Sequence, residues 1–475
     1  MAKEKDSVCV YWFKKDLRLA DNEAVERAIG EKQPMLFIYI ADEVSNGNAY
    51  YSAMHDAFAL QSLADLATDL TQYGHSLHYF SGHAKGVFNW LIDRYNIANV
   101  YSHEEVGEAT SYKRDKEIGA LLREQGIKWH QIAKDGIRRG AKNRKGWAAN
   151  LESWKKASLA DVNDGLAKCP AVLLEGKALP TKPLPGEGTQ PGGRRNGLRY
   201  LHSFYDDRAK DYMKGISKPA MSRTTCSRIS PYLAWGCLSA REVLQAAKVV
   251  RQEARLRFPI KAFESRVGWR SHFMQKFESE SSIEYEPVNK GFLQYALPSD
   301  HAKLRAYKEA ETGYPLVDAC LRCLRQTGYV NFRMRAVLVS FGVHYLRLHW
   351  KDVADVLAPI FLDFEPGIHF PQVQMQAGLT GINIVRIYNP LKQSAENDAE
   401  ALFIKKWVPE LLMAIPAEIH TLAGLGRYDY CPQIVEPKSS HSQAREYFWA
   451  LQKAPEVLLD SKRILSKHTF GPRMA

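Results

Sequence analysis

Apolar residues in the first third of the chain come in short, nearly unbroken runs: VCVYWF at 8–13, MLFIYI at 35–40, SLHYF at 76–80, NVYSH at 99–103 and IKWHQI at 127–132. Between them lie longer stretches, such as 51–73, in which apolar positions return every three or four residues. The first pattern predicts strands and the second amphipathic helices. Strands with almost no polar face belong in a parallel sheet covered on both sides by crossover helices. Residues 1–135 are therefore expected to form an α/β domain around a parallel sheet. No GxGxxG follows the first run, so the ordinary dinucleotide fingerprint is absent.

Beyond residue 200 the strand pattern gives way to helical spacing, clearest at 315–326 and 333–348, and a mostly α-helical domain is expected over 201–475. Proline and glycine crowd 178–193, ALPTKPLPGEGTQPGG, which disfavours regular structure and places an interdomain connector within 136–200. The chain has no internal repeat.

Composition narrows the class. At 475 residues the chain is long for a single core and fits two domains. Apolar content of 45% and charged content of 25% are ordinary for a globular protein, and no apolar run nears the roughly 20 residues that a bilayer span needs. No membrane partner is expected. The opening MAKEKDSVCVYWF lacks the apolar stretch and cleavage site of an export signal, so a cytoplasmic location is expected. The only CxxC, Cys320 and Cys323, sits in a helical pattern without companion ligands, which points to buried helix cysteines rather than a metal site. A net charge of +12 favours a polyanionic partner, DNA or RNA, because Lys and Arg release counterions from phosphates.

Several segments then carry a resemblance. Residues 312–319 read TGYPLVDA, 224–239 read TTCSRISPYLAWGCLS and 328–341 read GYVNFRMRAVLVSF, while 380–411 begin TGINIVRIYNPLKQS and end ALFIKKWVPEL. With WFKKDLRLADNEA at 12–24, they resemble the photolyase/cryptochrome family, whose members hold FAD in a bowl of helices and use light to drive electron transfer. The resemblance implies FAD as cofactor, UV-damaged DNA as partner, an antenna chromophore of open identity and a monomer. It also implies roles. Tyr212 is similar to the adenine-side tyrosine, and Ser227, Arg228 and Ser230 match the diphosphate-binding element, with Cys226 in place of a threonine. Arg333 and Arg335 match the family arginines, and Asp363 is the acid that pairs with the second of them beside the flavin, with Glu365 in the same segment. Counting from Asp363 sets His369 opposite flavin N5, where its titration would tune the redox state.

At the reaction end the pattern departs from the family. Trp269 matches one tryptophan of the shelf on which a flipped pyrimidine dimer rests, but the second shelf position falls on Gln376 and the usual glutamate is Arg266. Ala336 stands for a methionine, and Asn331 and Phe332 occupy the place of the paired histidines of a 6-4 photoproduct enzyme. Of the three relay tryptophans only the middle one, Trp350, is matched; the inner position is Gln374 and the outer falls near Leu297, so Tyr345, Tyr388 or Trp407 must substitute. Arg386, Lys405 and Lys406 are the expected DNA contacts. The leading expectation is a blue-light-driven DNA photolyase. The alternative is a cryptochrome photoreceptor without repair activity, which acts on a signalling partner.

Overall fold

The computed structural model describes residues 6–42, 48–174, 179–182, 186–295, 298 and 300–469. Five strands, β1 (Ser7–Phe13), β2 (Met35–Ala41), β3 (Leu77–Ser81), β4 (Asn96–His103) and β5 (Lys128–Ile132), form one sheet in the order β3-β2-β1-β4-β5. Every pairing is parallel, with Tyr11 between Phe37 and Tyr101 in register. The apolar runs explain the placement. The most continuous of them, β1, is buried along nearly its whole length and takes the centre, whereas the more polar β3 and β5 take the edges. The chain runs outward from β1 through β2 to β3 and then returns to β4 on the other flank. That reversal opens a crevice at the carboxyl ends of β1 and β4, where ligands of open parallel sheets bind.

Residues 136–200, expected as connector, contain two helices, Trp147–Lys156 and Asn163–Lys168. Part of the Pro/Gly-rich stretch within it lies outside the described residues, as does Leu297. From Arg194 onward the structure is helical. Seven helices matter for the site: α1 (Ala53–Thr71), α2 (Ser230–Ala234), α3 (Arg257–Ser279), α4 (Pro315–Thr327), α5 (Phe332–Ser340), α6 (Trp350–Leu357) and α7 (Pro366–Gln376). The helix expected over 333–348 divides: α5 ends at Ser340 and a π-helical turn, Phe341–Tyr345, follows. Ser340, at this junction, bonds His344 Nδ1 through its Oγ at 2.9 Å and accepts the Tyr388 N–H at 2.9 Å. Cys320 and Cys323 are buried on α4.

Apolar packing, close backbone approach and hydrogen bonds lock the halves together. One apolar core runs from Phe37 and Phe58 of the α/β half to Phe204, Tyr232, Trp235 and Phe263 of the helical half. Near it the backbones touch: Gly236, at φ +69°, has no room for a side chain, because a Cβ there would lie 2.4 Å from the Lys15 carbonyl oxygen. At the start of α1, Ser52 Oγ donates to the Pro359 carbonyl at 2.7 Å, and His55 Nε2 meets the Phe361 carbonyl at 2.9 Å. The α/β half thus fixes the turn that carries Asp363. Among the described residues no helix is long and apolar enough to cross a membrane.

Candidate functional site

A cavity of about 480 Å³ opens in the helical half, within the usual range of cofactor sites. Four pieces of chain wall it: the loop before α2 with Ser227 and Ser230, the face of α3 with Arg266, Trp269 and Arg270, the start of α5 with Asn331, Phe332 and Arg335, and the segment from Asp363 into α7. Tyr212 closes one end, its ring 5.5 Å from that of Phe204. Of the residues singled out in the sequence, Tyr212, Ser227, Arg228, Ser230, Arg266, Trp269, Arg335, Asp363 and Glu365 come together here.

Local structure puts the central pair in place. α4 ends at Gly328, whose φ of +70° provides the left-handed cap that a side chain would resist. Its carbonyl accepts the Leu362 N–H at 3.1 Å, and so ties the start of α5 to the residue before Asp363. Asn331 caps α5 by accepting the Met334 N–H at 2.9 Å. Arg335, one turn in, donates to Asp363 Oδ2 at 3.0 Å, lies 3.0 Å from Oδ1 through its other terminal nitrogen, and stacks 4.3 Å above the Phe361 ring. Burial pushes the Asp363 carboxyl up, but the Arg335 guanidinium and its hydrogen bonds outweigh this and hold it below the usual carboxylate range. A fixed ion pair therefore faces the cavity.

A second buried pair was not legible from sequence. Arg270, four residues after Arg266, donates to Glu365 at 2.7 Å and lies 3.3 Å from Asp135, which comes from the end of the α/β half. Burial raises Glu365 against the opposing pull of Arg270, whereas Asp135 is lowered because Arg270 and Lys134 together overcome its burial. The cavity wall is thus charged but internally balanced. Arg228 is satisfied too: it donates to Gln190 Oε1 at 2.8 Å, stacks 3.9 Å from the Tyr329 ring, and holds a left-handed φ of +61° just before α2.

Four polar atoms of the wall are left over. Asn331 Nδ2, Arg270 Nε, Gln372 Oε1 and Asp363 Oδ1 are buried with no hydrogen-bond partner among the described residues, although Oδ1 lies 3.0 Å from an Arg335 nitrogen. Buried polar groups without partners are rare in folded proteins and point to a bound molecule that satisfies them. Unused donors and unused acceptors suit a flat heterocycle with ring nitrogens and carbonyls, so the wall fits a flavin.

Other expectations need correction. His369 does not face the cavity: its Nε2 meets the Ala354 carbonyl at 2.9 Å and its ring packs against Phe361, Phe364 and Phe370. Burial lowers its pKa to about 4, so it stays neutral near pH 7. Gln376 is outside the wall as well, whereas Ile368, Gln372 and Met375 of α7 line it. With Glu365 these residues recur at helical spacing, a signal that a face-by-face reading of α7 would have caught. Arg333 stacks 5.4 Å from the Tyr388 ring, away from the cavity wall. Gln374 at the inner relay position is a structural amide, which receives the Val288 N–H at 2.6 Å and donates to the Ile283 and Glu286 carbonyls. Trp350 borders a separate small cavity with Val343 and Phe448; Tyr345 bonds His441, and Trp407 packs on Phe403. Among the described residues no ring contact joins Trp350, Tyr345 or Trp407 directly to an aromatic of the flavin-sized cavity. Arg386 and Lys406 are exposed and Lys405 is half-exposed in the helical half.

A second cavity, about 510 Å³, lies in the crevice at the carboxyl ends of the strands. It is lined by Trp12, Lys15, Tyr39, Tyr79, Glu108 and Trp235, among others. Trp235 directly follows α2, whose Ser230 and Leu233 wall the first cavity, so one short segment separates the two.

Comparison with known proteins agrees with this geometry. Residues 9–168 match the family model for DNA photolyase, and residues 263–450 match the model for the FAD binding domain of DNA photolyase. A deoxyribodipyrimidine photo-lyase of Synechococcus sp. is 25% identical over 95% of this chain and 99% of its own length. Among solved structures, a Synechocystis cryptochrome superposes with a TM-score of 0.82 at 23% identity, covering 94% of this chain and 99% of its own. An archaeal photolyase from Sulfolobus tokodaii, solved with two FAD molecules, gives 0.74 at 25% identity, with 93% and 100% covered.

Proposed function

Because this chain belongs to the photolyase/cryptochrome family and carries its FAD-binding domain, we propose that it is a blue-light-driven DNA photolyase that opens UV-induced pyrimidine dimers. One observation carries the reading. The cavity that contains the Arg335–Asp363 pair also presents Trp269 at its mouth, 49% exposed, so an aromatic platform stands beside the cofactor site instead of being spent on the core.

A reduced flavin held by these residues would supply reversible, light-driven one-electron donation, so that breaking the two carbon–carbon bonds between the pyrimidines would be redox neutral overall. The chain supplies position and electrostatics. Ser227 and Ser230 offer hydroxyls to the cofactor's phosphate end, Tyr212 an aromatic wall, and Arg335 with Asp363 a fixed charge pair beside the ring. Trp269 stacks on a flipped base. Arg386, Lys405 and Lys406, within a chain of net charge +12, neutralise backbone phosphates. The crevice at the strand ends, similar in size to the flavin cavity, is the place for an antenna chromophore. We read the protein as a cytoplasmic monomer.

The test is to reduce the purified protein, add an oligonucleotide with a defined dimer, illuminate with blue light and count lesions. No loss beyond a dark control would refute the proposal. The rival reading, a cryptochrome photoreceptor, draws on Gln374 and Arg266, which replace the inner relay tryptophan and the active-site glutamate of the resemblance. It requires light-dependent binding of a partner without lesion loss.

A further inference from the structure

The cavity mouth has a second aromatic face, at a position where the resemblance expects a histidine and to which it gives no role as an aromatic. Phe332 is the first residue of α5, and the Asn331 cap fixes the backbone from which it projects. It is 42% exposed and lines the same cavity as Trp269. A phenylalanine left half in water gives up part of the roughly 1.5–3 kcal/mol that full burial would bring. The Arg266 guanidinium lies 5.4 Å from the Phe332 ring centroid. Arg266 is exposed and has no acidic partner among the described residues, in contrast to Arg270 one turn later, which is taken up by Glu365 and Asp135. Arg266 and Trp269 are three residues apart on α3 and so share a face of that helix.

We propose that Phe332 and Trp269 are the two walls of a slot for a flipped pyrimidine pair, and that Arg266, carried on the Phe332 ring, is the hydrogen-bond donor and fixed positive charge for that pair's carbonyl oxygens. The proposal rests on the repair reading of the same cavity and names what makes that site selective. A pyrimidine pair offers two flat faces, and each stacking contact with an aromatic side chain is worth about 1–3 kcal/mol. Its carbonyl oxygens accept hydrogen bonds, and a guanidinium presents several donors in a fixed plane. During splitting the pair carries one extra electron, and a cation at its oxygens stabilises that charge without giving up a proton. The electron arrives and leaves, two carbon–carbon bonds break, and no proton changes hands, so arginine suffices where a carboxylic acid could act as a donor only when protonated. Phe332 takes over the stacking surface that Gln376 does not provide.

Dark binding separates this slot from general DNA affinity. The flavin-loaded protein is titrated with a labelled duplex that contains a single cyclobutane dimer and with the undamaged duplex, and the ratio of the two dissociation constants is the readout. Phe332→Leu, which keeps an apolar side chain but loses the flat face, should lower that ratio tenfold or more with flavin content unchanged, and Phe332→Tyr should retain it. Arg266→Gln should weaken the damaged duplex more than the intact one, with partial recovery in Arg266→Lys. A wild-type protein that discriminates while Phe332→Leu matches it within twofold overturns the slot alone. A wild-type protein that does not discriminate overturns the repair reading and the slot with it.

Discussion

Replacing Asp363 by asparagine tests the cofactor frame at its most charged point. The substitution keeps size and one acceptor oxygen but removes the negative charge that faces Arg335. At 3.0 Å and an effective dielectric near 20, the direct attraction is about 5 kcal/mol. Desolvation of two largely buried side chains offsets much of it, and breaking such a pair from one side costs about 3–5 kcal/mol. The retained hydrogen bond and the partial exposure of Arg335 bring the expected loss of fold stability to about 2–3 kcal/mol; only the lost charge facing the ring falls on flavin affinity, which is expected to drop about tenfold or more. The assay is the flavin-to-protein ratio after dialysis, followed by titration of the stripped protein with FAD. Wild type should retain flavin unchanged from pH 8 to pH 5, because a carboxyl held below its ordinary value of 3.8 stays ionised there; its contribution is lost only as pH falls through the lowered value. An Asp363→Asn protein that binds FAD within threefold of wild type would refute the placement of this pair beside the cofactor.

Trp269→Ala should keep its flavin yet lose about tenfold in preference for damaged over intact duplex, the size of one stacking face; an unchanged preference in the same titration would remove Trp269 from the mouth's function. Arg270→Met strands Glu365 and Asp135 without their cation, so the denaturant midpoint should drop by the equivalent of about 3–5 kcal/mol and recover in part when Glu365→Gln is added. Strictly additive losses in that double-mutant cycle would deny the coupling. Gly328→Ala would need a left-handed φ of +70° and would set a Cβ 2.6 Å from that of Leu362, so a loss of about 2 kcal/mol or more, with lower flavin content, is expected. A melting temperature and flavin ratio near wild type would contradict it. Burial drives His55, His344 and His369 to a pKa of about 4, only partly opposed by the carbonyls they bond. In the fold these rings stay neutral down to about pH 4, whereas in the unfolded chain they take up protons near 6.5, so acid favours unfolding. Stability should therefore fall between pH 6.5 and pH 4 with a slope of up to about 1.4 kcal/mol per pH unit for each ring, and a flat series of denaturant midpoints across that window would exclude buried neutral histidines.

The sheet was legible because period and burial coincide. The central strands are runs of apolar residues with no competing helical spacing, the edge strands β3 and β5 are shorter and more polar, and all five fall on segments read from the sequence. The Arg335–Asp363 pairing was legible only through the family resemblance. The structure holds it in place by the Leu362 N–H on the Gly328 carbonyl and by the His55 side chain on the Phe361 carbonyl. His369 and Gln376 failed because counting along one strand of text cannot say how a helix is rotated. α7 contains Pro371 and packs along α3, where Phe277 stacks on Phe370, and that packing turns Ile368, Gln372 and Met375 toward the cavity. Arg270 was hidden by the ordinary reading of a charge on a helix as a solvated one. Its acids come from residues 135 and 365, and only the tertiary fold brings them within reach.

The same contrast explains why the cofactor end keeps the family pattern while the mouth departs from it. Asp363 is held by a segment whose backbone bonds to the cap of α4 and to the start of α1, so a change there propagates into two cores. Arg266, Trp269 and Phe332 are exposed, and substitution at such positions usually moves stability by no more than about 0.5 kcal/mol. The fold therefore constrains where the flavin site lies and leaves the chemistry at its mouth nearly free. A tryptophan-and-carboxylate mouth can become an aromatic pair with an arginine without cost to the frame, provided that the new residues still stack and still donate. On the proposed repair reading, selectivity for the lesion would rest with three side chains that folding does not need, and there a repair enzyme and a photoreceptor built on this frame would diverge.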